Sequence, residues 1–401
     1  MAEAQGSTVD FRYKKESTAN TEETGAGGQI LRRVTGQLDL VKPEVLSQEK
    51  RTDFMELEQV HGTRSVNWAI NSELFGGDYK EFVAAAARQD FASVTDVTGS
   101  NYAISSGSLT SDGSDLLTGG LRKGMIIRLA SMTESAVNNR NIRITGDVAA
   151  GSCDVEAVDG GAALVDSAAA AATISVPGQH TYIPLTAHTK DTFTVERHDT
   201  ETDTSDIAWG CKVGAMDLNI QPDQPTGLNF SGIGINRRSV SAGSAPSLTS
   251  PTAAGTGPLI SSSIGVARIN GSVVAVITGF TLNLNTGLQN RPVAFANTSP
   301  NVYYGRAAAV TGTFNALKQG VSLSDLFDGE TEFSLELFAE APGSDPKSFV
   351  SIFLPRVKAN SADDDDPDGP VIQTFNFRSL RPRSGTGLYL SSFMIQDSQV
   401  S

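Results

Sequence analysis

The residue types that usually carry out catalysis are few in this chain, and they form none of the common catalytic motifs. The chain lacks the GxxxxGK[ST] loop that binds phosphate and the GxSxG turn that presents a nucleophilic serine. Metal-binding pairs of the HExxH or HxxxH type are missing among the four histidines, which are His61, His180, His188 and His198. We therefore expect no catalytic residue, no bound metal and no cofactor.

Two other segments have compositions that are known to bind ions. The run Asp363–Asp366 precedes Pro367, Asp368 and Gly369, and clustered carboxylates can hold Ca²⁺. This run lacks the spacing and the closing glutamate of a calcium-binding loop, so we interpret it as a solvated turn between two strands. The glycine-rich stretch at 25–28 precedes a strand-like segment and not a helix, which favours a flexible arm over an anion-binding loop.

The cysteines and the apolar pattern indicate where the chain folds. Cys153 and Cys211 lie far apart, and we expect both to remain free thiols in a reducing compartment. No run of about 18 apolar residues is present, so no membrane-spanning helix is expected. The polar N-terminus has the pattern of neither a signal peptide nor a transit peptide. We expect folding in a cytoplasm.

The chain has 401 residues and a net charge of -14, from 45 acidic and 31 basic residues. This length suggests two or three domains. Proteins that grip nucleic acid need a basic surface, so the acidic balance argues against that class. The same balance is compatible with a protein that lets nucleic acid pass without binding it.

The elements that must position any site are mostly β-strands. Apolar and polar residues alternate over 34–40 and again over 66–70, which predicts strands with one buried face. A long charged loop separates them at 42–61. A helix is predicted over 78–88, with Asp78 as its N-cap. The Ser-, Gly- and Ala-rich segment 92–190 has the pattern of a small all-β domain.

Two large blocks of the chain share a layout. Thr35-Gly36 opens a strand and Gly62 follows 26 residues later, while Thr278-Gly279 opens another and Gly305 follows after the same interval. A helix signal follows in each block, at 78–88 and at 322–327. Each block then ends in two strands across a polar turn. This order predicts an internal duplication, with 92–190 inserted into the first copy.

The motifs of both blocks resemble the tail tube proteins of long, non-contractile bacteriophage tails. In the first block these are Leu31–Gly36, His61–Val66 and Glu73-Leu74, which a helix follows. In the second they are Tyr304–Arg306, Val310–Thr313, Leu354–Val357 and the acidic turn before Gly369-Pro370. The resemblance covers about residues 30–380. The segment 236–263 and both termini depart from it.

The resemblance implies a mainly β fold, in which two packed sheets with a flanking helix form a duplicated sandwich or barrel domain. The organisation expected is an N-terminal arm at 1–28, a first tail-tube domain at 29–91 and 191–235, an inserted small β domain at 92–190, a linker at 236–263, a second tail-tube domain at 264–380 and a C-terminal arm at 381–401. We expect the insertion to lie on the outer surface of a tube.

The resemblance also implies a function without catalysis. The chain would be a structural virion protein whose stacked rings form a conduit for DNA. A duplicated subunit would close a ring with three chains and pseudo-sixfold symmetry, although six chains remain an alternative. The partners implied are further copies of the chain, the tape measure, the tail terminator and the tail-tip proteins. Double-stranded DNA would pass through without specific binding, and no membrane insertion is implied.

Two sets of residues are candidates for the surfaces of such a tube. Polar residues opposite the apolar strand faces are expected to line the lumen: Gln37, Asp39, Asn67, Asn71, Asp217, Asn219, Asn283, Thr311 and Thr313. Loops near 20 residues are uncommon in compact domains unless they are functional, which makes 42–61 and 285–304 candidates for ring stacking. The stacking residues expected in the first loop are Glu44, Glu49, Arg51, Phe54, Glu56 and Glu58.

Two other functions remain open on the sequence alone. One is a different virion part, such as a capsid decoration protein or a tail-tip component. The other is a secreted β protein that binds carbohydrate, with Trp68 and Trp209 as sugar-stacking residues. The second has little support, because both tryptophans occupy core positions of their strands and no pair of catalytic acids is visible.

Overall fold

A computed structural model gives the fold of the chain. It describes residues 6–50, 52, 55, 58–112, 116–158, 164–260, 265–274, 276–296, 298, 302–305, 307–321, 323–343, 346–365 and 369–400. Seventeen of the strands are hydrogen-bonded into one connected sheet, and six others close into a separate barrel. Within the described residues, no helix is long and apolar enough to cross a membrane.

The first half of the chain forms the first repeat and the barrel. The first repeat consists of β1 (Val9–Lys15), β2 (Gln29–Ile30), β3 (Thr35–Val41), β4 (Glu44–Leu46), β5 (Gln59–His61), β6 (Ser65–Glu73), α1 (Lys80–Ala87), β14 (Phe193–Asp199), β15 (Thr204–Ile220), β16 (Gly227–Gly234) and β17 (Asn236–Val240). Between α1 and β14 lie the barrel strands β7 (Val97–Ser105), β8 (Ser108–Ser111), β9 (Ile126–Ala130), β10 (Ile142–Ile144), β11 (Ser152–Ala157) and β12 (Ser167–Ser175), followed by β13 (Gln179–Tyr182).

The second repeat has the same elements in the same order. It consists of β18 (Gly265–Ile269), β19 (Ser272–Val273), β20 (Ile277–Asn285), β21 (Leu288–Asn290), β22 (Val302–Tyr304), β23 (Ala309–Leu317), α2 (Ser324–Asp328), β24 (Phe333–Glu340), β25 (Phe349–Asp364), β26 (Ile372–Ser379) and β27 (Met394–Asp397).

The strand pairings of the two repeats correspond one to one. In the first, β1 pairs with β2 and β14, β3 with β6, β6 with β16, and β15 with β14, β16 and β17. In the second, β18 pairs with β19 and β24, β20 with β23, β23 with β26, and β25 with β24, β26 and β27. All these pairings are antiparallel. Within the connected sheet, each repeat therefore consists of two smaller sheets, which are joined because the longest strand of the repeat takes part in both.

The irregularities of the ladders correspond as well. The register between β15 and β16 shifts between Val213 and Ala215, and that between β25 and β26 shifts between Ala359 and Ser361. A second shift recurs where β14 meets β15 and where β24 meets β25. Bulges change the direction and the twist of a strand, so the two repeats bend their long strands at the same place.

One hydrophobic core runs through both repeats. The strands bury alternate residues, such as Leu38 and Trp68 in the first repeat and Leu282 and Phe314 in the second. Helix α1 adds Phe82, whose ring lies 5.8 Å from that of Trp68. Period-two burial on one face is what the alternating sequence predicts. Helix α2 is shorter than its counterpart and has no buried residue.

A buried Arg–Glu pair lies at the same register position in both repeats. Arg12 on β1 is opposite Glu196 on β14, and Arg268 on β18 is opposite Glu336 on β24. All four side chains are buried. A buried charge needs a partner because a lone one would lose its hydration without compensation. Arg12 forms its ion pair with Asp10, at 3.2 Å. The buried arginine and glutamate on facing strands are therefore a structural feature that both repeats share.

Different segments complete the two pairs. The Glu196 carboxylate accepts hydrogen bonds from the backbone N–H groups of Ser247 and Leu248, at 2.8 and 2.9 Å. The Glu336 carboxylate instead accepts from Arg143, which belongs to the barrel. Burial raises the pKa of Glu336, and the nearby guanidinium groups of Arg143 and Arg268 oppose that shift. The segment after β17 thus covers the first repeat, and the barrel covers the second.

The barrel has its own core but is docked firmly. Tyr102, Ile127 and Ile174 are buried inside it, and Phe353 and Met394 of the second repeat complete the same cluster. Gln396 of β27 also hydrogen-bonds to both backbone groups of Ile126, at 2.9 and 3.0 Å. The barrel follows α1 in sequence, yet it packs on the second repeat.

Several sequence predictions differ from the structure at element boundaries. The prediction of Asp78 as a helix N-cap is wrong: α1 begins at Lys80 after Tyr79, with no side-chain cap. Asp78 instead pairs with Arg32 at 3.3 Å, because it is buried beside that guanidinium. Residues 9–15, expected within an arm, form β1. Val9, Phe11 and Tyr13 are buried there, so their alternation was a strand signal.

The segments expected to be a linker and a C-terminal arm also contain strands of the large sheet. Residues 236–240 form β17, and Leu248 and Ile260 farther along are buried. Residues 394–397 form β27, which pairs with β25 on one side and β13 on the other. Strand β13 falls within 92–190 but belongs to the large sheet, so the barrel strands end at Ser175.

Candidate functional site

A polar face runs across both repeats without interruption. The strands β3, β6, β16, β15, β20, β23, β26 and the C-terminal half of β25 pair in that order. Their core-facing residues are apolar, so the alternate residues form a second, largely polar surface. We call this surface the polar face.

The nine residues predicted for a lumen all lie on the polar face. Asp39 is opposite Asn67, Asp217 is opposite Asn283, and Thr311 follows Asn283 in the same row. The remaining predicted residues, Gln37, Asn71, Asn219 and Thr313, are two or four positions from these along their strands. Further members of the polar face were not predicted, although alternation with buried neighbours could have identified most of them: Asn229, Ser231, Thr281, Asn285, Ser361 and Arg378.

The polar face consists mainly of uncharged side chains that hydrogen-bond to one another. Asn71 Nδ2 donates to Thr35 Oγ1, and Thr313 Oγ1 donates to Asn376 Oδ1, both at 2.8 Å. Asp39, Glu73 and Asp217 are its acids in the first repeat. Lys358 and Arg378 lie opposite each other near the last strand, and Lys358 is paired with Glu330 at 2.8 Å. A wall of this kind offers few cations to a polyanion.

The two repeats meet at an internal joint formed by β15 and β20. Residues Ala215–Ile220 pair with Phe280–Asn285, and Asn283 Nδ2 donates to Asp217 Oδ1 across the joint. The Thr286 N–H donates to the Gly214 carbonyl at 2.9 Å. In a strand, the backbone N–H and C=O groups of successive residues point to opposite sides. The backbone groups of Leu282 and Leu284 therefore point towards β15, as the N–H of Thr286 does.

The second hairpin, β21–β22, crosses the internal joint onto the first repeat. Lys212 Nζ donates to the Val302 carbonyl at 2.6 Å, and the Arg88 guanidinium lies 4.5 Å from the centre of the Tyr304 ring. Thr298 forms a bridge with Arg64. A repeat is thus held to its neighbour by the sheet edge and by the hairpin together.

The first hairpin, β4–β5, is open to solvent. Val45, Leu46 and Val60 are 51%, 44% and 60% exposed, which is unusual for three neighbouring apolar side chains. Of the predicted stacking residues, Glu44, Glu49 and Glu58 are exposed, while Arg51, Phe54 and Glu56 lie outside the described residues. The second repeat's Arg306, quoted for the family resemblance, also lies outside them.

The histidines and cysteines have structural surroundings. Burial lowers the pKa of His180 to about 4, and its ring stacks on Tyr389 while Nε2 lies 2.8 Å from that hydroxyl. Cys153 and Cys211 are free and buried, and burial raises the pKa of Cys153 to about 12. Within the described ranges, no three His, Cys, Asp or Glu side chains are close enough to hold a metal ion.

A model of the family described as phage tail tube protein matches residues 6–379. The chain belongs to the phage tail tube protein family. A search of curated proteins found no match. As a phage tail tube protein, the chain is a structural component of the virion. This membership favours the tail tube over the decoration, tail-tip and carbohydrate-binding alternatives.

Proposed function

We propose that this tail tube protein forms the tube of a long, non-contractile tail, with three chains closing each ring around a channel lined by the polar face. The observation that carries the proposal is the internal joint. Two repeats of equal topology are already joined edge to edge within one chain, and the sheet ends in two open edges. A closed ring leaves no such edge exposed.

Three chains supply six repeats to one ring. Each repeat contributes four strands to the polar sheet, so the ring contains twenty-four. At about 4.8 Å between strands, this closed sheet would be roughly 37 Å across its backbone, and wider once the strands tilt. Side chains then reduce the channel to a width that admits a DNA duplex. A ring of six chains would have twice the circumference.

The chemistry of the polar face supports passage of DNA and not capture. Its amides, hydroxyls and carboxylates release no counterions from DNA, and such release supplies most nonspecific affinity. The candidate lumen residues are those that the sequence predicted, from Gln37 and Asp39 in β3 to Thr311 and Thr313 in β23. The barrel contacts the second sheet of the second repeat, so it would lie on the outside of the tube.

Stacking of rings requires a second, head-to-tail contact. The first hairpin is the candidate, with its base over a neighbouring chain and its tip, Glu49 to Glu58, toward the next ring. The open faces of the terminal rings would receive the tail terminator and the tail-tip proteins. The tape measure protein would occupy the channel before DNA passes.

Removing the hairpin tip should separate ring formation from tube growth. The Ser47 N–H donates to the Glu58 carbonyl at 3.2 Å, so Asn-Gly in place of residues 48–57 would close the hairpin as a two-residue turn. We expect this variant to form single rings, and negative-stain images should show at least tenfold fewer stacked rings than wild type at equal concentration.

The control for this variant is the stability of its subunit. The tip residues that are described are exposed, so the midpoint of urea unfolding should stay within experimental error of the wild-type value. Long tubes formed by the shortened protein would contradict a stacking role for the tip. A wild-type protein that forms neither rings nor tubes at any concentration would contradict the proposed function itself.

A further inference from the structure

The two open edges of the polar sheet are counterparts of the two strands in the internal joint. Strand β3 is the counterpart of β20, and β25 is the counterpart of β15. Among the described residues, β3 pairs only with β6, and Lys358–Asp364 of β25 pair only with β26. The chain therefore ends, on both sides, in half of the joint that it contains in its middle.

The shared pairings fix which residues correspond. Asp217 is opposite Asn229 and Asp363 is opposite Thr374, at equal distances past the bulge of each long strand. On the other side, Asn283 is opposite Thr311 and Asp39 is opposite Asn67, at the same register position of each pair. Asp363 thus corresponds to Asp217, and Asp39 corresponds to Asn283.

The open edge of β3 has the correct backbone polarity for the same joint. The Leu74 N–H donates to the Thr226 carbonyl, so the backbone N–H and C=O groups of even-numbered β6 residues point to β16, and those of odd-numbered residues point to β3. In β3, the backbone groups that point away from β6 are then those of Gly36, Leu38 and Leu40. Arg237 Nη1 indeed donates to the Leu38 carbonyl from that side, at 2.7 Å.

We propose that β3 of one chain pairs with Ser361–Asp364 of a second copy in the register of the internal joint, and that Asp39 then faces Asp363. This inference rests on the proposed function, because it describes the joint that closes the ring. The internal joint has an amide–carboxylate hydrogen bond at this position, whereas the joint between chains has two carboxylates. Like charges directly opposite each other weaken a strand pair.

The charge pattern makes the joint between chains the weaker of the two. Asp364 and Asp365 extend the acidic edge, and Lys318 neutralises Asp364 within its own chain. In the free subunit, Arg237 donates a hydrogen bond to the Leu38 carbonyl. This carbonyl must instead accept a hydrogen bond from the neighbouring strand when the chains join. Free subunits are thereby kept apart at low ionic strength, and salt should favour closure by screening the aspartates.

The hairpin contacts extend the same correspondence. Lys358 is the counterpart of Lys212, which holds the second hairpin by its Val302 carbonyl across the internal joint. Lys358 would donate to a backbone carbonyl at the base of the neighbouring chain's first hairpin in the same way. The exposed Val45, Leu46 and Val60 of that hairpin would then be covered by the chain that carries Lys358.

Cross-linking tests the register directly. Asp217 and Asn283 form a pair without backbone hydrogen bonds, in which Cα atoms lie about 4.5 Å apart, within the range of disulfides. Asp39→Cys with Asp363→Cys should therefore give disulfide-linked dimers and trimers in oxidised rings. Within one chain these positions are seven strand spacings apart, roughly 30 Å, so no internal link can form. The native cysteines are buried and will not compete.

The matched control pairs Asp39→Cys with Thr374→Cys, one strand farther along and about 10 Å from the joint partner, beyond disulfide reach. The charge effect is tested in parallel with Asp39→Asn, which should lower the concentration for ring closure roughly two- to fivefold at low salt. Asp112→Asn, an exposed aspartate of the barrel, removes the same charge and should change nothing.

Covalent trimers from the Asp363 pair alone, together with easier closure of Asp39→Asn, would support the proposal. Wild-type tubes with no such cross-link, or equal linking of the Thr374 pair, would overturn it and leave the tube function intact. An unchanged closure concentration for Asp39→Asn would overturn the charge effect. Absence of rings from every variant and from wild type would overturn the proposed function instead.

Discussion

Replacing Glu336 with alanine is expected to destabilise the subunit by about 3–5 kcal/mol, because it leaves Arg268 buried without this carboxylate and leaves Arg143 with Glu156 as its remaining carboxylate partner. Arg143 comes from the barrel and Glu336 from β24, so the loss should also weaken the docking of the barrel on the second repeat. Urea unfolding followed by tryptophan fluorescence measures the first effect. Limited proteolysis between α1 and β7 measures the second.

A matched surface variant separates this effect from the simple loss of a glutamate. Glu332→Ala removes a carboxylate that pairs with Arg356 at the surface, and exposed pairs contribute little because water and salt screen them. Its unfolding midpoint should remain close to that of wild type. Equal midpoints for the two variants would contradict a structural role for the buried cluster.

Replacing Leu40 with proline is expected to abolish ring closure without unfolding the subunit. The Leu40 N–H points to the open edge of β3, and its pairing with β6 does not use it. Proline removes this donor and places its ring where the neighbouring strand must lie. A carbonyl left without a partner costs about 1–3 kcal/mol, so closure should need at least about a fivefold higher concentration for each joint affected.

Leu40→Ala is the control for the proline variant, because it removes most of the side chain but keeps the N–H group. Its rings should form near the wild-type concentration, apart from the effect of lost packing. Circular dichroism should show native β-structure for both variants. Normal rings from the proline variant would show that β3 is not an assembly edge.

Much of the fold could be predicted from the sequence because strand alternation and repeat spacing are local signals. The mainly β fold and the order of elements in both blocks follow from these signals. So do the polar residues that alternate with Leu38 and Trp68 along their strands. The polar face could be predicted as a set of residues for the same reason. A residue opposite a buried one in a strand must lie on the other surface.

The rest depends on long-range pairings that alternation does not encode. Strand β1 has a clear pattern of buried Val9, Phe11 and Tyr13, but its polar, glycine-rich surroundings favour an arm. Arg12 and Glu196 are 184 residues apart, and only the pairing of β1 with β14 brings them together. The spacing of Gly36 and Gly62 likewise marks a repeat without revealing that its two copies share one sheet.

The rotational symmetry of an assembled ring distinguishes three chains from six. Electron cryomicroscopy of tubes or isolated rings, reconstructed without imposed symmetry, would show it at modest resolution. We expect three chains per ring, an inner wall with approximate sixfold character and three outer protrusions formed by the barrels. Six equivalent protrusions would mean six chains per ring, and would contradict the claim that each chain supplies two units of the wall.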